Sequence, residues 1–390
     1  MIVRRLEQNE KFEAGRIAGI CFHARTEDLE KKRAEAEKNG DEMFGAFSDD
    51  GCLMGSIINN HFLFHLRERE VTGGGIGAVS TLPEYREKGV IRAVFGELLP
   101  AARERGEVLS ALYPFSHEFY RKFGYETVLR GTEYDFSPDQ LRQYRSTEQA
   151  RLWREGENTE AFTRIYHTWS RGLRLSLIRD DGRVRAEHVN GKYWLDRRFC
   201  YLFGSSGNEN AYLVFDDIRH DPAAILSVRE AAWCDREGFL SVLAFLGRFT
   251  ADYGNVIWPM PTGIDLIPFF RDPYSVNVRP MRDYMLRVMN TERLLSCLAE
   301  GTGACFSLMV YGDEFLKQNN GVFRVEDKLV KREDTACPDI TLSIHALAGL
   351  ASGTRSLEET LLREDACVSG NRADLETVFK RDSVYVGDHF

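Results

Sequence analysis

Ile76-Gly77-Ala78-Val79-Ser80-Thr81-Leu82-Pro83-Glu84-Tyr85-Arg86-Glu87-Lys88-Gly89-Val90-Ile91-Arg92 sets a strand-like run, a basic turn and a helix-like run in succession. Ala78 to Thr81 reads as the end of a strand, which Pro83 stops. From Val90 onward apolar residues fall at Val90, Val94 and Leu98, with Ile91 and Phe95 beside them, the stripe of an amphipathic helix. Arg86 to Gly89 therefore leads into a helix N-terminus. The first N–H groups of a helix lack intrahelical partners and lie at the positive end of its dipole, so a pyrophosphate there meets donors and a favourable field together. Gly89 lets the backbone come close, and Arg86, Lys88 and Arg92 add positive charge.

Working outward, a second stretch runs Leu112-Tyr113-Pro114-Phe115-Ser116-His117-Glu118-Phe119-Tyr120-Arg121-Lys122-Phe123-Gly124-Tyr125. It reads as a strand ending near Tyr113, a short helix through Tyr120 and a turn at Gly124. The pairing of Arg86-x-x-Gly89 with Phe119-Tyr120-x-x-x-Gly124-Tyr125 resembles the GNAT superfamily of acetyl-CoA-dependent N-acetyltransferases. One departure is that Ile91 stands where that superfamily usually has Gly or Ala. Gly89-Val90-Ile91-Arg92, together with Pro338-Asp339-Ile340-Thr341-Leu342-Ser343-Ile344, Leu347-Ala348-Gly349-Leu350 and a tail closing on Val384-Tyr385-Val386-Gly387-Asp388-His389-Phe390, is similar to the Eis-type (enhanced intracellular survival) subgroup.

The resemblance implies an α+β protein: two tandem GNAT-like domains, each a mixed sheet flanked by helices, followed by a sterol-carrier-like α+β domain. Boundaries are expected at 1–132 for a catalytic domain, 133–284 for a degenerate copy and 285–390 for the third unit. It further implies acetyl-CoA as co-substrate, held by Val79, Ser80 and Thr81, by Arg86, Glu87, Lys88, Gly89, Val90, Ile91 and Arg92, and by Phe115 and Ser116. Tyr120 is implied as the acid that protonates the thiolate, and the carboxylate of Phe390 as the base. Trimers or paired trimers are implied as the assembly.

The residues give their own account of the middle block. Asn210 to Asp216 and Ala223 to Trp233 read as strands, Phe239 to Thr250 as an amphipathic helix and Asn255 to Trp258 as a strand. This order echoes the first block, an internal repeat. The copy has Cys234-Asp235-Arg236-Glu237-Gly238-Phe239-Leu240 where the first has Tyr85 to Ile91, with acids crowding the glycine. The first block also carries strands at Ile2 to Leu6, Met43 to Phe47 and Cys52 to Leu66, a hairpin signal at Asp49-Asp50-Gly51, and helices at Asn9 to Cys21 and Thr26 to Lys38. Gly73-Gly74-Gly75 reads as a flexible turn delivering Ile76 to Val79 as a central strand.

A net charge of −9 argues against a general nucleic-acid binder, and no run approaches the length of a membrane span. The start lacks the apolar core of a signal peptide, so a cytoplasmic location is expected. Eight scattered cysteines without Cys-x-x-Cys spacing read as reduced core thiols. His61 and His65 stand four apart in a strand-like run, where that spacing does not make a shared metal site, so no metal is expected.

Acetyl transfer from a thioester needs a neutral amine, a route for its proton, a stabilised oxyanion and a proton for the thiolate. The strand end at Val79 to Thr81 offers backbone N–H groups, and Tyr120 lies about one helical turn after Ser116. No His or Glu of the first block stands out as base. The tail offers one: an apolar Phe390 anchors, and its carboxylate takes the proton, or else Phe390 only packs. Two functions remain open, an N-acetyltransferase acting on a lysine, a polyamine or an aminoglycoside-like amine, and a non-catalytic protein that senses CoA or binds lipid through the third unit.

Overall fold

The computed structural model describes residues 1–23, 42–146, 148–154, 156–180, 197–219, 224–333 and 337–389. The helix expected at Thr26 to Lys38 and the site residue Phe390 lie outside them.

Strands β1 (Ile2–Arg5), β2 (Glu42–Phe47), β3 (Leu53–Leu66), β4 (Arg69–Thr81), β5 (Leu109–Leu112) and β6 (Glu126–Val128) belong to a first sheet. Strands β7 (Gly131–Phe136), β8 (Ala150–Leu152), β9 (Arg198–Phe203), β10 (Ala211–Arg219), β11 (Ala224–Trp233), β12 (Asn255–Met260) and β13 (Asn277–Met281) form a second. The chain then returns to the first sheet as β14 (Tyr284–Val288), which inserts between β5 and β6. The orders, β1-β2-β3-β4-β5-β14-β6 and β8-β9-β10-β11-β12-β7-β13, match position by position. Each contains one parallel pair at its centre, β4/β5 and β11/β12. The repeat is therefore architectural, and the two sheets are tied by the crossings β6 to β7 and β13 to β14. The expected boundaries 132/133 and 284/285 fall inside β7 and β14.

Helix Val90–Glu104 packs its stripe Val90, Val94, Phe95, Leu98 and Leu99 into a buried cluster with Ile57, Ile76, Leu112 and Tyr120. Helix Arg236–Leu246 does the same for the second sheet through Val242, Leu243 and Leu246 against Leu213, Leu226 and Trp258. Burial of such stripes is the main stabilisation of surface helices.

A third sheet has the order β17-β16-β15-β18-β19, from strands β15 (Cys305–Tyr311), β16 (Gly321–Glu326), β17 (Leu329–Arg332), β18 (Ile340–Ser343) and β19 (Ala366–Val368). Helices Thr291–Ala299, Ile344–Ala351, Leu357–Leu361 and Arg372–Val378 accompany it. Asn290 and Ser343 cap the first two, and Ser356 with Glu359 makes a reciprocal capping box on the third. Phe306, Leu308, Phe323, Ile340, Leu347 and Leu375 fill its interior with no exposure. Among the described residues no helix is long and apolar enough to cross a membrane.

Two expectations are corrected. Gly73, Gly74 and Gly75 lie inside β4 and are not a turn; the reversal is at Arg67, which has φ +56. Glycine is needed there because a Cβ at Gly73 would press 2.7 Å from the Phe64 ring, and one at Gly74 would overlap the Asn59 amide. Of the eight cysteines only Cys200 is buried, so they are not core thiols as a group.

Candidate active site

The central parallel pair of the first sheet is short. β4 and β5 pair from Gly73↔Leu109 to Ile76↔Leu112, after which β4 runs on to Thr81 with no strand partner on that side among the described residues. The strands part, leaving a wedge bordered by the backbone of Gly77 to Thr81. On its other edge β4 bulges against β3: Ser80 faces Ser56 and Gly77 faces Ile58, so Ala78 and Val79 together oppose Ile57, and Ala78 takes φ +47. Such a bulge re-aims backbone groups at a site. Val79, Ser80 and Thr81 border this wedge, and the Ser80 hydroxyl is buried without a hydrogen-bond partner among the described residues.

The basic turn follows directly. Pro83–Tyr85 forms a short 3-10 turn, and φ then alternates: −63 at Arg86, +62 at Glu87, negative at Lys88 and +77 at Gly89, the cap of helix Val90–Glu104. Alternation of this kind gathers N–H groups around a concavity that suits an anion. Gly89 supplies no side-chain cap, and a Cβ there would meet nothing within 4 Å, so its absence serves φ and an open helix start. Arg86 and Lys88 are exposed with no acidic partner among the described residues, Lys88 lying 5.3 Å over the Tyr85 ring. Arg92 is partly diverted: it pairs with Glu314 at 2.9 Å and lies over Phe315. Val90 points into the core and Ile91 packs beside it.

Beyond β5, Ser116 caps helix His117–Arg121 by accepting from the Phe119 N–H at 3.3 Å. Phe115 is 67% exposed, a large apolar ring left against solvent, with Tyr120 5.2 Å behind it. Tyr120 packs among Phe115, Phe119 and Tyr125, yet its hydroxyl makes no hydrogen bond to a described residue. Burial raises its pKa well above the usual phenol, so it holds its proton throughout the physiological range. Tyr125 is buried as well, but its hydroxyl is already bonded to Ser110 at 2.8 Å.

These residues fit a CoA thioester: the stretch supplies an open helix N-terminus, two exposed cations and a buried hydroxyl without partners among the described residues, a strand end beyond the last β4/β5 pair and an exposed aromatic ring. Arg86→Ala is expected to weaken acetyl-CoA binding by about 1.5–3 kcal/mol, the worth of a charge-assisted bond. Unchanged affinity by calorimetry would remove the pyrophosphate from this turn.

In the second sheet the corresponding helix start is capped from within. Asp235 caps helix Arg236–Leu246 by accepting from the Gly238 N–H at 2.8 Å, so its own carboxylate takes the place of an anion.

Sequence reasoning did not find Tyr113, Arg130, Arg179 or Glu230. Tyr113 directly follows β5, donates to the Asp388 carbonyl at 2.7 Å and stacks on His389 with centroids 4.7 Å apart. Arg130 pairs with Asp283 at 2.8 Å and lies over the Tyr113 ring. These contacts join residues far apart in the chain, and no local pattern signals them. His61 lies on β3 with Nδ1 3.3 Å from Glu107.

Residues 2–128 match the family described as acetyltransferase (GNAT) domain, and residues 292–387 match the sterol carrier protein domain. Among solved structures the chain is similar over its full length to a GCN5-related N-acetyltransferase from Anabaena variabilis, with TM-score 0.85, 22% identity and all of both chains covered. It is similar to a probable N-acyltransferase of Enterococcus faecalis, with TM-score 0.86, 19% identity and 98% of each chain covered. Eis1 from Mycobacterium abscessus gives TM-score 0.79 at 18% identity with all of both chains covered. No curated protein matches the sequence significantly.

Proposed function

Since this chain carries a GNAT acetyltransferase domain at residues 2–128 and a sterol carrier protein domain at residues 292–387, and is an acyltransferase, we propose that it transfers the acetyl group of acetyl-CoA to a primary amine in a ternary complex. Tyr120 is the general acid and the carboxylate of Phe390 the general base. The observation that carries this reading is the Tyr120 hydroxyl, which burial keeps protonated and which bonds to no described residue, on a side chain clustered with Ile76 and Val79 where β4 leaves β5.

The chain's part in the reaction follows from its groups. The helix start at Gly89, with Arg86 and Lys88, holds the pyrophosphate. Backbone N–H groups from Ala78 to Thr81 pair with the pantetheine and polarise the thioester carbonyl as charge develops on its oxygen. Phe115 covers the ligand and Ser116 fixes the turn that carries Tyr120. As the carbon–sulfur bond breaks, the Tyr120 hydroxyl gives its proton to the sulfur. The amine's proton passes to the Phe390 carboxylate, a weak base with an ordinary pKa of about 3.5 and a charge that attracts a cationic amine. The position of His389 against Tyr113 supports this role for the tail.

Adding one Gly after Phe390 keeps the ring and moves the carboxylate about 3.5 Å. Turnover is expected to fall by most of its value with acetyl-CoA affinity retained; full activity would leave Phe390 as packing only.

The acceptor is a lysine side chain, a polyamine or an aminoglycoside-like amine, and CoA release measured with a panel of these distinguishes them. We take the units 1–132, 133–284 and 285–390 as catalytic, degenerate and sterol-carrier-like parts of a cytoplasmic trimer or hexamer; a monomer at every concentration in light scattering would contradict the assembly. The filled interior of the third unit favours catalysis over lipid capture as the main role.

A further inference from the structure

The parallel pair β11/β12 ends at Ser227↔Ile257, yet β11 continues to Trp233. The second sheet thus opens a gap at the position where the first sheet opens its wedge. No helix N-terminus is free there to hold a phosphate, because Asp235 occupies it. The chain's own end lies against this place: Tyr385, Gly387 and His389 line one cavity of about 160 Å³ with Ser227, Arg229 and Ile257.

Three residues beyond the last β11/β12 pair stands Glu230, fully buried. Arg179, also with no exposure, grips it with Nη1 to Oε1 and Nη2 to Oε2, both 2.8 Å. The same guanidinium donates from Nε and Nη2 to the Asp388 carboxylate, each at 2.9 Å. Tyr212 on β10 donates to Glu230, Tyr385 approaches it at 3.4 Å, and the Tyr166 ring faces Arg179 at 3.7 Å. A second arginine of the same segment, Arg174, pairs with Asp382 at 2.5 Å. The segment itself is pinned to the first domain, where Leu175 and Ile178 donate to the carbonyls of His65 and Leu63.

We infer that the gap in the second sheet is a dock for the chain's C-terminal segment, and that Arg179 and Glu230 are positioning residues that deliver the tail end to the amine site of the first domain. The delivery half rests on the reading that the tail end takes the amine's proton. Asp388 is the link: its side chain is held in the second domain by Arg179, and its carbonyl is held in the first by Tyr113. Burying an arginine between two carboxylates is a poor way to gain stability, since apolar packing often does as well. Its forked geometry does fix direction, which a tail that must end at one place requires.

The test uses the full chain with Asp388→Asn and, separately, Glu230→Gln, which alters the dock without touching the first domain. Three quantities are read: the ring resonances of His389, identified by their loss in His389→Gln; acetyl-CoA affinity; and kcat with the acceptor KM. Stacking on Tyr113 shifts the His389 resonances. Asp388→Asn is expected to return them to solvent-exposed positions and to lower kcat by about 10²-fold, the effect of misplacing a reacting group by an ångström, with acetyl-CoA affinity unchanged. Glu230→Gln is expected to move both readouts in the same direction by less. Unmoved His389 resonances in both variants would overturn the dock, whatever the turnover. Displaced resonances with turnover intact would uphold the dock and overturn both the delivery role and the tail end as base.

Discussion

Tyr120→Phe is expected to lower turnover by about 10²–10⁴ while leaving the fold and acetyl-CoA affinity in place. The substitution removes one oxygen that bonds to no described residue, so no internal partner is stranded and the stability cost is small. The ring contacts with Phe115, Phe119 and Tyr125 persist in phenylalanine. What disappears is a donor that burial keeps protonated. Single-turnover measurement isolates the chemical step, and an unaltered rate there would return Tyr120 to a packing role.

Asp313→Ala is expected to destabilise the protein by about 3–5 kcal/mol, because it leaves a buried guanidinium without its anion. Arg287 and Asp313 have no side-chain exposure and meet at 2.7 Å. Asp313 also accepts from the N–H groups of Phe315 and Leu316 and from Asn319. Arg287 reaches from β14 beneath the turn after Tyr120, donating to the Phe123 carbonyl at the place where Gly124 takes φ +82. A Cβ on Gly124 would overlap this guanidinium, so the glycine of the Tyr120 motif is required by a residue more than 160 positions away. Denaturant unfolding gives the measurement; a loss below about 1 kcal/mol, the worth of an exposed pair, would mean that water reaches the pair.

The helix at Val90, the short helix through Tyr120 and the strands at Met43 to Phe47 and Cys52 to Leu66 were legible because their signals are local: an apolar stripe, a turn glycine, and apolar runs on either side of a hairpin signal. The degenerate second copy was legible for the same reason, since acids beside Gly238 become the self-cap at Asp235. Gly73 to Gly75 was misread because glycine marks both turns and close packing, and only the side chains of Phe64 and Asn59 from another strand decide between them. β14 carries an arginine, Arg287, in a five-residue strand buried throughout, and its partner Asp313 is supplied by the third unit. Arg179 carries no local signal in the sequence. Its burial depends on Glu230 and Asp388, which only the folded chain brings together.

The crossing of β6 to β7 and β13 to β14 bears on how the molecule is made. β5 obtains its outer neighbour only from Tyr284–Val288, so the acetyltransferase sheet stays open during synthesis until more than 170 further residues have left the ribosome. Contacts this distant in sequence close slowly, and an unpaired central strand is a template for the wrong partner. A fragment ending at residue 132 would lack that strand, expose the β5 and β6 edges and lose the support of Arg287 beneath the Tyr120 turn. The unit that carries the chemistry is thus not one that can be cut out. Its completion is delayed until the second sheet has been built, which makes assembly of the second sheet a precondition for completing the first.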